Sequence, residues 1–417
     1  MLAGLLASPL GTMSQPGEAA AGSGHFRAEH ESWDNGMNMC MPAAGAAAAP
    51  LVISGQLNAF GVVSDAQGPR GSSNFAAPNM FMVDAGRQLG SRQFLNLDVM
   101  GTTERWTYPQ HGYPELLQIG EERSDGSPFV DAQHPHSSPV MGLTLSDTIS
   151  LGSSNTLKVF MAPRGESTDG PVAFMHRDTA RDNPDAPLGH HVGQDVGHIS
   201  SSVLGTQLTL GRLTFEASAF NGTEPLPTKV DLPIGAPNSE ALRVTYELTP
   251  GHRVMASWAH VEQQDPQYPG TTSATRLSAS VYDHVTQGDA ATGDHTFIVG
   301  SITRHPAGAT STSFLDEAVW RRGSSDFWGR VEVLQRLRSE LAIPASTQDA
   351  IREERWVSAL TVGYTHWSAP VDALRVGLGT SLTMDALPEA WAASYGGRNP
   401  LTLRVIVQIR GSGRWQR

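Results

Sequence analysis

The 417-residue chain has one cysteine, Cys40, so no intrachain disulfide can form. Charge is scarce as well. Asp, Glu, Lys and Arg make up 17% of the residues, against about 25% in ordinary soluble proteins, and Ser, Thr, Asn and Gln supply the remaining polar surface. Long hydrophobic runs are missing: no stretch approaches the roughly 20 apolar residues of a membrane helix, which excludes a helical membrane protein. Net charge is −12, which argues against nucleic acid as a partner. The chain also lacks a P-loop, a G-x-G-x-x-G after a buried strand, a C-x-x-C pair and an H-E-x-x-H helix. Nor is there an N-terminal plug domain of the kind that energised transporters carry. Helical periodicity is almost absent. Only 337–354, "LRSELAIPASTQDAIREE", has room for a short helix, and Pro344 breaks it.

What the chain does have is glycine (43), proline (27) and short runs with a two-residue period. In "LTLRVIVQIR", Leu401, Leu403, Val405, Val407 and Ile409 share one face, and Thr402, Arg404, Gln408 and Arg410 share the other. "ALRVTYELT" and "RLTFEASAF" alternate in the same way. Such alternation marks strands with two different surroundings. About sixteen such segments can be placed between residues 52 and 411, with 14–18 compatible with the pattern. The links between them alternate between short turns, such as "GR" and "PG", and long connections, at 107–138, 164–198, 223–239 and 339–354. An antiparallel meander with short turns on one side and long loops on the other is the signature of a transmembrane β-barrel. A soluble sandwich or propeller would carry its charge on the outer face. Here the polar face is small and mostly uncharged, which suits a wet lumen.

The expected fold is therefore all-β, an antiparallel outer-membrane barrel. Residues 1–50 form an export-signal-like, disordered His/Met-containing arm, residues 51–411 the barrel, and residues 412–417 a C-terminal tail. The arm opens with "MLAGLLASPLGTMS", apolar but without Lys or Arg, and "EAAAG" offers a cleavage region. Trp106, Tyr108, Trp258, Tyr282, Trp320, Trp328, Trp356, Tyr364 and Trp367 fall mostly near strand ends, where an aromatic girdle is expected. A barrel in that membrane implies its lipid and the barrel-assembly machinery as partners.

The long loops carry motifs: "YPQHGYPELLQIGE" (108–121), "DAQHPHSSPVMGL" (131–143), "GPVAFMHR" (170–177) and "NPDAPLGHH…HIS" (183–200). Together they resemble a group of bacterial outer-membrane β-barrel proteins preceded by a His/Met-rich N-terminal arm. The resemblance covers most of residues 50–410. It implies fold and localisation, and the arm implies copper or a similar metal.

Two long connections hold seven of the fifteen histidines. The candidate metal ligands in them are His134, His136, His190, His191 and His198, with Asp131 and Asp195 close in sequence. Imidazole with carboxylate suits copper, zinc, iron or nickel, although the spacing matches no strong metal signature, and loops pinned by His–Asp hydrogen bonds remain the alternative. The arm offers His25, His30, Met37, Met39, Cys40 and Met41, whose soft sulfurs favour Cu(I). Asp98, Lys158, Glu216, Arg243, Glu247, Arg330, Glu332, Arg375, Arg404 and Arg410 fall on the face expected to line the lumen, either as a selective pore or as pairs that close it. No cofactor is assigned, and copper or zinc is the candidate ion.

The leading expectation is a non-enzymatic channel or binding protein for a small solute or metal ion, copper being one candidate. Two other readings stay open. In "GHIS", His198 and Ser200 stand at Ser–His spacing on a strand whose parity could turn them to lipid. At that spacing alone the stretch resembles outer-membrane phospholipases and lipid A deacylases. The third reading is a closed structural barrel.

Overall fold

The computed structural model describes residues 50–416, apart from 124, 224, 231, 233, 263–269, 289–290, 346 and 348–351. The arm donors His25, His30, Met37, Met39, Cys40 and Met41 lie outside the described residues. Among those described, no helix is long and apolar enough to cross a membrane.

Among the described residues nineteen strands form, numbered in chain order, of which the short β2 (Ser73–Ala76) pairs with β1 outside the ring of sixteen. Half of the barrel is built from β1 (Val52–Ala66), β3 (Asn79–Leu89), β4 (Gln93–Gly101), β7 (Val140–Ser150), β8 (Asn155–Gly165), β9 (Ser200–Leu210), β10 (Leu213–Asn221) and β11 (Ser239–Thr249). The other half is β12 (His252–Glu262), β13 (Ser273–Gln287), β14 (Ala291–His305), β15 (Ala309–Arg322), β16 (Ser325–Leu337), β17 (Glu354–Trp367), β18 (Leu374–Ala386) and β19 (Leu401–Gln416). Each of these sixteen pairs antiparallel with its neighbours. The ring closes through β1 and β19, with Val52 opposite Gln416 and Ala66 opposite Thr402. Closure leaves no sheet edge, the condition for a sheet to sit in lipid. Because β19 runs to Gln416, residues 412–416 belong to the wall and not to a tail.

The two-residue period assigns the faces. Leu403, Val405, Val407 and Ile409 point outward and are 40–58% exposed, whereas Thr402, Arg404, Ile406 and Gln408 point inward and are buried. Four of the expected girdle aromatics do not lie on the outer face. Trp328 and Trp367 face the lumen, Tyr282 holds a lumenal loop, and Tyr108 is buried in a loop. Trp320 and Trp356 are outward and exposed, as a girdle requires.

Short connections lie on one side, at 90–92, 151–154, 211–212, 250–251, 288–290 and 323–324. The long ones lie on the other, at 102–139, 166–199, 222–238, 338–353 and 387–400. The β14–β15 link, 306–308, breaks this alternation, being short on the long-loop side. No helix forms at 338–345, which turns back on itself. The longer helix is instead Glu389–Tyr395, ended by Gly396 at a φ of 77°.

Two of the long connections, 102–139 and 166–199, fold inward. Connection 102–139 carries a hairpin of β5 (Tyr113–Glu122) and β6 (Pro128–Gln133), separate from the barrel sheet. Its Leu116, Leu117 and Ile119 pack with Leu188 and Val192 of the 166–199 loop, and with Ile302, Leu334 and Trp391, into a core inside the barrel. The 166–199 loop crosses the lumen and is tied to the wall along its course. Thr168 meets Ser218, Gly170 meets Ser257, Val172 meets Tyr282, and the Leu188 amide donates to Glu332 at 2.6 Å. Arg177 and Arg330 both donate to Glu317, at 2.6 and 3.0 Å. The two connections thus occupy part of the lumen and are fixed to its wall.

Candidate metal centre

The two inward-folded connections meet near the long-loop end of the barrel, and their histidines meet with them. The β5–β6 hairpin presents Glu121 and, just beyond β6, His134 and His136. The crossing loop presents His190, His191, Asp195 and His198. Glu121, His134 and His191 each offer a donor atom within 4.8 Å of the others, and so do His190, Asp195 and His198. The triads are neighbours: the His190 and His191 rings lie 4.6 Å apart, and those of His190 and His198 lie 5.0 Å apart. A cavity of about 40 Å³ is lined by Glu121, His134, His136, His190, His198 and Met141.

Hydrogen bonds fix which nitrogen is available. His198 Nδ1 lies 2.7 Å from the Asp195 carbonyl oxygen, an acceptor only, so Nδ1 carries the proton and Nε2 the lone pair. That Nε2 faces His136 Nε2 at 3.2 Å, while His136 Nδ1 donates to Glu104 Oε2 at 2.6 Å. His134 Nε2 lies 2.9 Å from Glu121 Oε2. His190 Nδ1 is buried, makes no hydrogen bond, and stands 3.8 Å from Asp195 Oδ2.

Burial decides the protonation of the deepest rings. It pushes His198 down to about 4, against the pull of the Asp195 carboxylate. His191 is held well below the ordinary histidine value by burial and by His190 beside it. Burial also acts on His134, but the Glu121 carboxylate overrides it and raises this ring. For Glu104, burial is outweighed by His136, which draws its carboxyl down; Asp195 is lowered by His198 and His190 in the same way. Neutral imidazoles beside ionised carboxylates form a donor set that metals can take without first displacing a proton from His191 or His198. The set fits zinc, copper or nickel.

Not every expected ligand belongs. Asp131 is tied elsewhere, accepting from Arg70 Nε at 2.6 Å, the Leu117 amide at 2.9 Å and the Tyr395 hydroxyl at 2.9 Å. His111 is exposed, and His176 pairs instead with Glu166 at 2.7 Å. Glu104 and Glu121 were not among the residues expected from sequence, because single carboxylates in long loops carry no spacing signal.

The Ser–His pair does not form. Both nitrogens of His198 are engaged by other groups, and Ser200 Oγ donates to Ser167 Oγ at 3.0 Å. A bulge explains why Ser200 faces inward although Leu204, of the same parity, faces out. The β9–β10 register shifts between Ala219 and Asn221, and Ser202 takes a φ of 51°.

Most lumenal charges pair within the interior. Arg243 makes a bidentate contact with Glu216 at 2.7 and 2.8 Å. Arg404 meets Tyr113 and Asp185, and Arg410 meets Asp182. Lys158 lies over the Phe160 ring and Arg375 over that of Trp367, Asp98 is half-buried, and Glu247 is exposed near the short-turn rim.

No family model and no curated protein matches this chain. Solved structures do match in fold. The anion-selective porin from Comamonas acidovorans is 11% identical, with a TM-score of 0.52 over 87% of this chain and 99% of that one. OprB of Pseudomonas putida in its high-pH structure is 10% identical, with a TM-score of 0.50 over 87% and 94%. Salmonella typhi OmpF in complex with daunomycin is 9% identical, with a TM-score of 0.50 over 85% and 97%. The closed sixteen-strand ring, its largely apolar outer face and these likenesses give the chain the fold of a bacterial outer-membrane β-barrel.

Proposed function

We propose that this barrel binds a borderline transition-metal ion, copper or zinc, at its outer mouth and admits it across the membrane, the crossing loop acting as both gate and selectivity element. The observation that carries this reading is the convergence of five histidines with Glu104, Glu121 and Asp195 in one buried cluster. Besides their carboxylate partners the rings face one another, His136 Nε2 lying 3.2 Å from His198 Nε2 and the His190 ring 4.6 Å from that of His191. His134, His191 and Glu121 would hold an ion from the hairpin side, and His190, His198 and Asp195 from the loop side. Glu104 would orient His136. The activity is passage and binding, not catalysis.

The test is flux. Vesicles holding a zinc-responsive dye and the refolded protein are expected to admit zinc faster than protein-free vesicles, and substitution of the five histidines by alanine is expected to remove the difference. Equal uptake with and without the five histidines would overturn the proposal. One observation favours a closed structural barrel instead: the lumenal Arg–Glu pairs and the apolar core occupy part of the interior. That reading expects no flux in any form.

A further inference from the structure

Beyond residue 50 the chain has eight methionines, and five of them gather in one place. Met80, Met82, Met100 and Met141 are 2–6% exposed and pack together on the lumenal wall, with Met175 of the crossing loop against them. The remaining three lie elsewhere, Met161 and Met384 facing outward and Met255 in a separate cluster.

The backbone concentrates these side chains. Met82 stands directly opposite Met100 in the β3–β4 ladder, where side-chain roots are about 5 Å apart. Met80 follows two residues along the same face. Across the next ladder Met100 stands opposite Gly142, and the absent side chain there leaves room for it: a Cβ on Gly142 would sit 3.3 Å from the Met100 Cβ. The β4–β7 register then shifts, so that Met141 is the extra residue of a bulge. Bulges re-aim side chains beside functional sites, and this one turns Met141 into the cavity shared with His136 and His198. A porin lumen is ordinarily polar, yet here four adjacent wall positions and one loop position carry flexible thioethers.

We propose that this cluster is a second metal site, all sulfur, which takes a monovalent thiophilic ion of the Cu(I) class. Thioethers are weak donors for zinc and good ones for Cu(I). The site is independent of the histidine reading, since it uses other residues and selects another ion. If both hold, the mouth offers nitrogen–oxygen donors for a divalent ion and sulfur donors for a monovalent one, side by side.

The experiment uses the full chain, refolded in detergent, with the arm sulfurs replaced (Met37→Leu, Met39→Leu, Cys40→Ser, Met41→Leu). Cu(I) is titrated anaerobically against a chromogenic chelator, and Ag(I) in parallel. One ion per chain is expected in this background, retained when the five histidines become alanine, and lost in Met82→Leu/Met100→Leu/Met141→Leu. Leucine keeps the volume and removes the sulfur, so packing survives and binding does not; heat-modifiable gel migration verifies folding. Binding unchanged in the leucine variant, or lost only with the histidines, would overturn the proposal. X-ray absorption at the bound copper gives a second, substitution-free readout: a sulfur shell is expected, and a shell of nitrogen and oxygen alone would overturn it. Failure of zinc binding with Cu(I) binding intact would sink the histidine reading and leave this one standing.

Discussion

At the residue scale, a few buried polar groups hold the candidate site and the lumen together. Glu104 touches the His136 ring and its backbone amide, so it would hold the ring that faces His198. Groups that orient metal ligands are typically worth 10–100-fold in affinity. Glu104→Gln is therefore expected to weaken zinc binding by about 10–100-fold with the fold unchanged, read by calorimetric titration. Glu317 is a different case. It is the shared acceptor for Arg177 and Arg330, all three side chains being almost fully buried. Removing one member of such a group leaves charge uncompensated, at a cost of about 3–5 kcal/mol. Glu317→Ala should show that loss in urea unfolding from lipid vesicles, and an unchanged midpoint would mean that water already reaches these arginines.

At the element scale, the crossing loop is the part that distinguishes this barrel from an open pore. Its seat on β14 is a backbone-to-backbone approach. A Cβ on Gly300 would lie 2.5 Å from the Val192 carbonyl oxygen, and one on Gly193, whose φ is 75°, would lie 2.6 Å from the Ser301 amide nitrogen. Gly300→Val is expected to lift the 190–194 segment off the wall. Ion conductance in planar bilayers should then rise while zinc affinity falls, because His190 and His191 move with the segment. Conductance that stays at the wild-type level would place the barrier elsewhere. The strands themselves were legible in the sequence, since most outward positions are apolar and most inward ones are not, with His295 and Asp316, paired on the outer face, among the exceptions. The β5–β6 hairpin was not, because it packs on both faces inside the barrel and so shows no alternation. The methionine cluster escaped for a related reason. In "NMFMV", Phe81 and Val83 face outward and Met80 and Met82 inward, so both faces are apolar and the period disappears.

At the scale of the whole molecule, the histidine-rich loops could be assigned to one end of the barrel from sequence. Their convergence could not be assigned, because it depends on two connections entering the lumen to the same depth. Asp131 illustrates the limit: near in sequence to His134, it is turned away to Arg70 and Tyr395. A partly filled interior also predicts that the wild-type barrel conducts far less than an empty sixteen-strand ring, whose lumen is wide enough for water. Deleting 170–194 should raise single-channel conductance severalfold, and no change would contradict a gating role for the loop.

The most direct test of the central claim is the zinc and copper stoichiometry of the refolded, detergent-solubilised protein, measured beside the His134→Ala/His136→Ala/His190→Ala/His191→Ala/His198→Ala variant and a variant with the arm donors replaced. At least one tightly held divalent ion per chain is expected, retained without the arm donors and lost without the five histidines. Equal binding by the wild type and the five-histidine variant, or none by either, would contradict it.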